Sequence, residues 1–249
     1  MNFFLILIQL LIETRLLIVT IHQPNFLPYP GFFNKIVQSD VLVLQDDVKF
    51  SEGFSNRNKI ISSSGWLWLT VPIKKNHNLL PINEVEIFND SKWSRIHMKQ
   101  LSGAYNKTKF FHLYKPELEE ILQKEFISLF KLNFELITKI ISWLDIDVEI
   151  ILESELDIKG TSTTRLVNVC KELGAETYLS GPGGKNYINQ KLFDENNINL
   201  KYQEYEPLIY SQHLSEKFIP NLSIIDMLAN IGPIESLEKL NSKTISFFS

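Results

Sequence analysis

The stretch Ile21-His22-Gln23-Pro24-Asn25-Phe26-Leu27-Pro28-Tyr29-Pro30-Gly31-Phe32-Phe33 decides the reading of this chain. It follows the apolar run Leu16-Leu17-Ile18-Val19-Thr20-Ile21, whose pattern is that of a buried strand. It leads into Phe32-Phe33-Asn34-Lys35-Ile36-Val37, which starts a helix. Each proline of the loop fixes its own φ and pushes the residue before it toward extended conformations. A stiff loop carrying His22, Gln23 and Asn25 at the carboxyl end of a strand is where α/β proteins commonly place a site.

Outward from that loop a strand–helix rhythm continues. Val41-Leu42-Val43-Leu44-Gln45-Asp46-Asp47 is a second apolar strand ending in two carboxylates. The polar segment after it contains Asn56-Arg57-Asn58-Lys59, and residues 60–72 form a hairpin about a Ser/Gly turn. Residues 82–88 alternate as a half-exposed strand does, and 91–144 carry helical spacing, with Pro116 opening one of the helices. Strands are expected over 147–152, 177–180 and 198–205, with helices over 165–173, 186–193 and 222–229. Gly174 ends the first of these helices, and Gly232-Pro233 stops the last. The expected fold is therefore α/β: a mainly parallel central sheet, crossover helices, and a helical insert or cap over about 91–144. One domain is expected over 16–249, preceded by an apolar extension over 1–15. That extension is too short to span a bilayer and lacks the parts of a signal peptide.

Composition narrows the function classes. The chain has 249 residues and a formal net charge of -4, without the dense basic patch that a nucleic-acid footprint needs. No stable membrane insertion is expected. The single cysteine, Cys170, excludes an internal disulfide, fits a cytoplasmic location, and reads as a buried thiol. No histidine spacing makes a metal site.

Several groups are candidates for chemistry. His22 suits a general acid/base or a preset ligand contact, against the plain reading of a strand-end histidine bonded to backbone. One of Asp46 and Asp47 faces the same end of the sheet if the strands are parallel, either to orient a substrate amine or to cap a turn. Asn56-Arg57-Asn58-Lys59 offers Arg57, Asn58 and Lys59 to a carboxylate or phosphate, unless it is a solvated loop. Thr161-Ser162-Thr163-Thr164-Arg165 opens a helix, where Thr163 and Arg165 make an anion pocket or the hydroxyls merely cap. Ser180-Gly181-Pro182-Gly183-Gly184-Lys185-Asn186-Tyr187 is a Gly-rich loop lacking P-loop spacing. Ser180, Gly181, Lys185 and Tyr187 there are candidates for a phosphate or sugar, against a plain tight turn.

These residues together resemble the WbqC-like protein family. The resemblance is carried by His22-Gln23-Pro24-Asn25-Phe26-Leu27-Pro28, Gly31-Phe32-Phe33-Asn34-Lys35-Ile36, Ser39-Asp40, Asp46-Asp47-Val48-Lys49-Phe50, and Asn56-Arg57-Asn58-Lys59-Ile60. Trp68-Leu69-Thr70-Val71-Pro72, Tyr178-Leu179-Ser180-Gly181 and Leu222-Ser223-Ile224-Ile225-Asp226 extend it over about 17–233. The family implies a bacterial role in building surface polysaccharide such as O-antigen or capsule, for example amide acylation of an amino sugar. The expectation is a transferase moving an acyl or aminoacyl group, with a nucleotide-linked sugar as small-molecule substrate and ATP or an acyl donor as co-substrate. His22 is then the acid/base, Asp46 or Asp47 positions the amine, and Arg57, Lys59 and Arg165 hold phosphate or carboxylate. The site is expected between the sheet and the insert. Two alternatives stand beside this. One is a non-catalytic protein that holds a nucleotide sugar or glycan. The other is nucleotidylyl-transfer chemistry, since His22 and Ser162-Thr163-Thr164-Arg165 are similar to motifs of such enzymes, although Asn25 stands where they have a second histidine.

Overall fold

The computed structural model describes residues 16–75, 77, 79–89 and 92–242. The expected extension over 1–15 and the start of the insert at Ser91 lie outside the described residues. Five strands form one sheet: β1 (Ile18–His22), β2 (Val41–Leu44), β5 (Glu149–Leu152), β6 (Thr177–Ser180) and β7 (Asn199–Tyr202). Their order is β5-β2-β1-β6-β7, and every pairing is parallel. His22 pairs with Leu44, Leu44 with Leu152, and Ser180 with Tyr202, so these strands end in register. The fold is α/β, as the alternation of strands and helices implies.

The sheet is covered on both faces, and the period of two along each strand decides what goes where. Leu42 and Leu44 join a large core with helix α1 (Pro30–Ile36), the β3–β4 hairpin (Arg57–Ser62 and Gly65–Thr70) and the helices of the insert. The insert comprises α2 (Trp93–Tyr105), α3 (Phe111–Gln123) and α4 (Leu129–Trp143). Val19, Ile21, Val41, Val43 and Tyr178 point the other way. They meet α5 (Ser162–Glu172) and α6 (Gln190–Asp194) through Leu166, Val169, Cys170 and Phe193. Cys170 is buried, and burial pushes its thiol up to about 12.

The connection after β1 runs through α1 on one face, and the connection into β6 runs through α5 on the other. The chain order therefore reverses between β1 and β6. A crevice opens outside the carboxyl ends of the strands at such a switch point.

Four local expectations differ from the structure. Residues 82–88 form a 3-10 turn (Ile82–Glu84) and single bridges rather than a strand. Asn83 is held there, its backbone N–H donating to the Asp46 carbonyl at 2.8 Å and its side chain to the Asp46 carboxylate at 3.3 Å. Pro116 lies inside α3 instead of opening it. The helix expected over 186–193 divides into a 3-10 turn (Pro182–Asn186) and α6, which Asn189 caps by accepting from the Lys191 N–H. The last helix, α7 (Ile224–Asn241), does not stop at Gly232-Pro233. It kinks there, with Gly232 at φ 78, and continues. Any β-carbon at Gly232 would lie 2.9 Å from the Phe110 ring.

Candidate functional site

A pocket of about 630 Å³ occupies the switch-point crevice. Three segments wall it: the proline-stiffened loop after β1, residues 51–55, and the Gly-rich loop after β6. None of its lining residues comes from the helical insert, so the expected placement between sheet and insert is corrected. The insert acts from behind. Asn133 of α4 is fully buried and donates to the carbonyls of Pro24 (3.0 Å) and Ser55 (2.7 Å), tying two walls together.

His22 sits on the pocket wall at the end of β1, its ring edge-on to Phe32 at 4.8 Å. Its Nδ1 is 2.8 Å from the Gln23 carbonyl, which can only accept, so Nδ1 carries the proton and Nε2 the lone pair. Burial, and next the positive charge of Lys35, lower the His22 pKa to about 3, against the raising effect of the Gln23 carbonyl. The imidazole is therefore neutral at any ordinary pH, an acceptor rather than an acid.

Lys35 is the group that sequence reasoning missed. It lies on α1 three residues after Phe32, on the same helix face, and lines the pocket while only 2% exposed. Its Nζ donates to the Ile21 carbonyl at 3.0 Å. It has no carboxylate partner among the described residues. Desolvation alone lowers its pKa to about 7, so both the amine and the ammonium are populated near neutrality. The sequence held a signal: a lysine inside Phe32-Phe33-Asn34-Lys35-Ile36, a helix buried along its whole length. Gln203, also on the wall, was missed as well. It bonds the Gly31 carbonyl (2.8 Å) and Asn34 Oδ1 (2.6 Å), fixing α1 against β7.

Of the residues singled out from sequence, His22, Gln23, Asn25, Ser180, Gly181 and Tyr187 come together on this pocket. Gly184 must lack a side chain, since a β-carbon there would fall 2.1 Å from Ser180 Oγ. The others go elsewhere. Asp46 is buried away from the pocket, its carboxylate accepting from the Ser154 N–H (3.0 Å) and hydroxyl (2.6 Å). Asp47 receives Arg165 Nη2 at 2.6 Å from each oxygen, and Arg165 Nε meets the fully buried Glu153. Two carboxylates thus neutralise the guanidinium expected to hold a substrate anion. Thr163 accepts from the Asn189 N–H (3.1 Å) and does not line the pocket, and Thr161 makes no side-chain bond that caps α5.

Arg57, Asn58 and Lys59 lie on strand β3, not in a loop. Asn58 is turned inward, donating to the Leu27 carbonyl at 2.7 Å. Arg57 and Lys59 stack on Trp68 and Trp66 outside the pocket. Lys185 lies over the Tyr202 ring at 5.5 Å and is not among the lining residues. Among the described residues no group of three His, Cys, Asp or Glu side chains is placed to hold a metal ion. No helix there is long and apolar enough to cross a membrane.

Comparison with known proteins fits this framework. The chain is 29% identical over 216 residues to a protein of Mycobacterium tuberculosis (strain ATCC 25618 / H37Rv) named "Uncharacterized protein Rv1507c". That alignment covers 86% of this chain and 94% of the relative. No solved structure matches the chain significantly. The family model of the WbqC-like proteins matches residues 23–237, from the loop that carries the site to the kinked last helix, and the chain belongs to the WbqC-like protein family.

Proposed function

We propose that this pocket is a transferase site that moves an acyl or aminoacyl group onto an amine of a small sugar-like substrate during surface-polysaccharide building. The observation that carries the reading is the pairing of a neutral His22 with a buried Lys35, which no carboxylate among the described residues neutralises, on one wall of a switch-point pocket. An acceptor and a proton carrier with a pKa near neutrality are what amide formation requires. His22 Nε2 accepts a hydrogen bond from the incoming amine and orients its lone pair. The amine nitrogen bonds to the acyl carbon, and the bond from that carbon to its leaving group breaks. The neutral Lys35 amine takes the proton lost by the nucleophile and returns it to the leaving group. The role expected for His22 alone is thus divided: His22 orients, and Lys35 carries the proton.

Gln23, Asn25, Ser180 and Tyr187 supply hydrogen-bonding groups for a polyhydroxylated substrate. An acyl thioester, or a carboxylic acid activated by ATP, is the donor class this reaction needs. Such donors place the reaction in the cytoplasm. Nucleotidylyl transfer is less well supported. The second histidine of such enzymes is Asn25 here, and Arg165 is occupied by Asp47 and Glu153.

The test is a thermal-shift panel of acyl-coenzyme A thioesters, ATP and nucleotide-linked amino sugars. A ligand at 100 times its Kd should add about 2.7 kcal/mol of stability. Stabilising pairs of donor and acceptor are then mixed with the protein and the amide sought by mass spectrometry. Amide formation that disappears in Lys35→Met is expected. Stabilisation by a finished glycan alone, with no amide from any pair, would show that the pocket holds sugars without transforming them.

A further inference from the structure

The outer face of the β3–β4 hairpin carries a feature that the pocket chemistry does not use. Trp66 and Trp68 are 46% and 36% exposed. Alternate residues of a strand share a face, and the register puts Lys59 opposite Trp68, so Arg57 and Lys59 join the two indoles. Arg57 lies 4.7 Å from the Trp68 ring centre, and Lys59 lies 5.2 Å from that of Trp66. Neither cation has a carboxylate partner among the described residues. The patch is positive on a chain of net charge -4.

It is also continuous with the pocket. Phe54 lines the pocket wall, is half exposed, and lies 6.3 Å from Trp68, which meets Trp66 edge-on at 5.5 Å. An aromatic row therefore runs outward from the pocket mouth. Exposed indole surface costs solubility, and the hairpin's inward face, with Ile60 and Leu69, already supplies its anchoring.

We infer that this row is the binding subsite for the nucleoside diphosphate portion of the substrate, with the base stacked on the exposed indoles and the phosphates on Arg57 and Lys59. A planar base finds π-faces there, and a diphosphate finds one planar fork and one ammonium. The attached sugar then points past Phe54 toward His22 and Lys35. This last step rests on the transferase reading of the pocket; the nucleotide subsite itself does not need it. A second copy of the chain, or a neutral glycan, would use the same indoles without needing both cations.

The test is titration of the intact protein with ADP and UDP, read by quenching of tryptophan fluorescence excited at the red edge. Free glucose and maltose serve as neutral controls, and sedimentation records self-association. Saturable quenching by the nucleotides is expected, falling at least tenfold in affinity in the double variant Arg57→Gln/Lys59→Gln and in Trp68→Ala. It should weaken as salt rises and survive in Lys35→Met. Arg57, Lys59 and Trp68 lie on the outer face of the hairpin, and unchanged thermal unfolding of the variants at these three positions confirms that the hairpin is intact. Retention of nucleotide affinity in the double variant overturns the inference. So does quenching by maltose alone, or concentration-dependent dimerisation that Trp66→Ala abolishes in the absence of any nucleotide effect. Wild-type protein that binds the nucleotides but forms no amide would refute the transferase chemistry and leave the subsite standing, whereas amide formation without nucleotide binding would refute the subsite alone.

Discussion

Replacing Lys35 with methionine should change how stability depends on pH, by an amount that follows from the structure. In the unfolded chain Lys35 has the ordinary lysine pKa of 10.5, and in the folded protein burial lowers it to about 7. Between those values the unfolded state binds more protons than the folded state, so stability rises as the pH rises from 7 toward 10.5. Each pH interval of one over which the two states differ by a full proton is worth about 1.36 kcal/mol, and integration from pH 7 to pH 9 gives a gain of about 2 kcal/mol for the wild type. Lys35→Met has no such gain. The variant also leaves the Ile21 carbonyl without its donor, at a cost of about 1–3 kcal/mol. That cost does not depend on pH and cancels when the two curves are compared for slope. Urea denaturation of both proteins at half-unit steps from pH 6.5 to pH 9 reads the difference directly. The wild-type curve should climb relative to the variant by about 2 kcal/mol, most steeply above pH 7. Parallel curves would mean that Lys35 titrates as an exposed lysine does. The proton-carrier role assigned to it would then be refuted, whatever the variant does to activity.

Three further outcomes are expected. His22 is held neutral down to about pH 3 in the fold but protonates at the ordinary histidine value of 6.5 when unfolded, so stability falls as pH drops through that window, by at most ~5 kcal/mol. His22→Asn should flatten that acid limb in denaturation curves between pH 6.5 and pH 4. Arg165→Met removes the partner of the fully buried Glu153 and of Asp47, and should cost about 3–5 kcal/mol in chemical denaturation at pH 7. A triple variant that also neutralises both acids (Asp47→Asn, Glu153→Gln) should recover much of that loss. Gly184→Ala forces a β-carbon to within 2.1 Å of Ser180 Oγ, and should lose about 1–3 kcal/mol of stability along with ligand-induced thermal shifts. Pairing it with Ser180→Gly should restore part of the stability.

Much of the frame was legible in the chain because short-range physics writes it there. The apolar run into Ile21 and the run Val41-Leu42-Val43-Leu44 are buried parallel strands, and both read as such. The stiff loop bearing His22, Gln23 and Asn25 was recognisable from its prolines, and the pocket forms on it. The hairpin turn about Gly65 was equally plain, since that glycine adopts φ 115. Pro116 and Gly232 misled because each breaks a helix in isolation, yet tertiary packing carries α3 and α7 through them.

The makeup of the site was less accessible. Arg57, Lys59 and Arg165 are the residue types that hold anions, but type does not reveal partners. Arg165 meets Asp47 and Glu153, separated from it by 118 and 12 positions, and no local pattern shows that its charge is already spent. Lys35 was hidden for the opposite reason: the apolar residues around it hint at burial, but only the packed fold shows that its ammonium has no carboxylate partner among the described residues.

By itself, the sequence determined the alternation of strands and helices, the rigid loop at the end of β1, and family membership, because these follow from local backbone constraint and hydrophobic period. Only the tertiary structure decided that the chain reverses between β1 and β6, that the insert braces the pocket without lining it among the described residues, and that Lys35 faces the pocket while Arg165 does not. Burial and charge pairing depend on residues distant in the chain arriving at one point, and desolvation acts only after they have arrived.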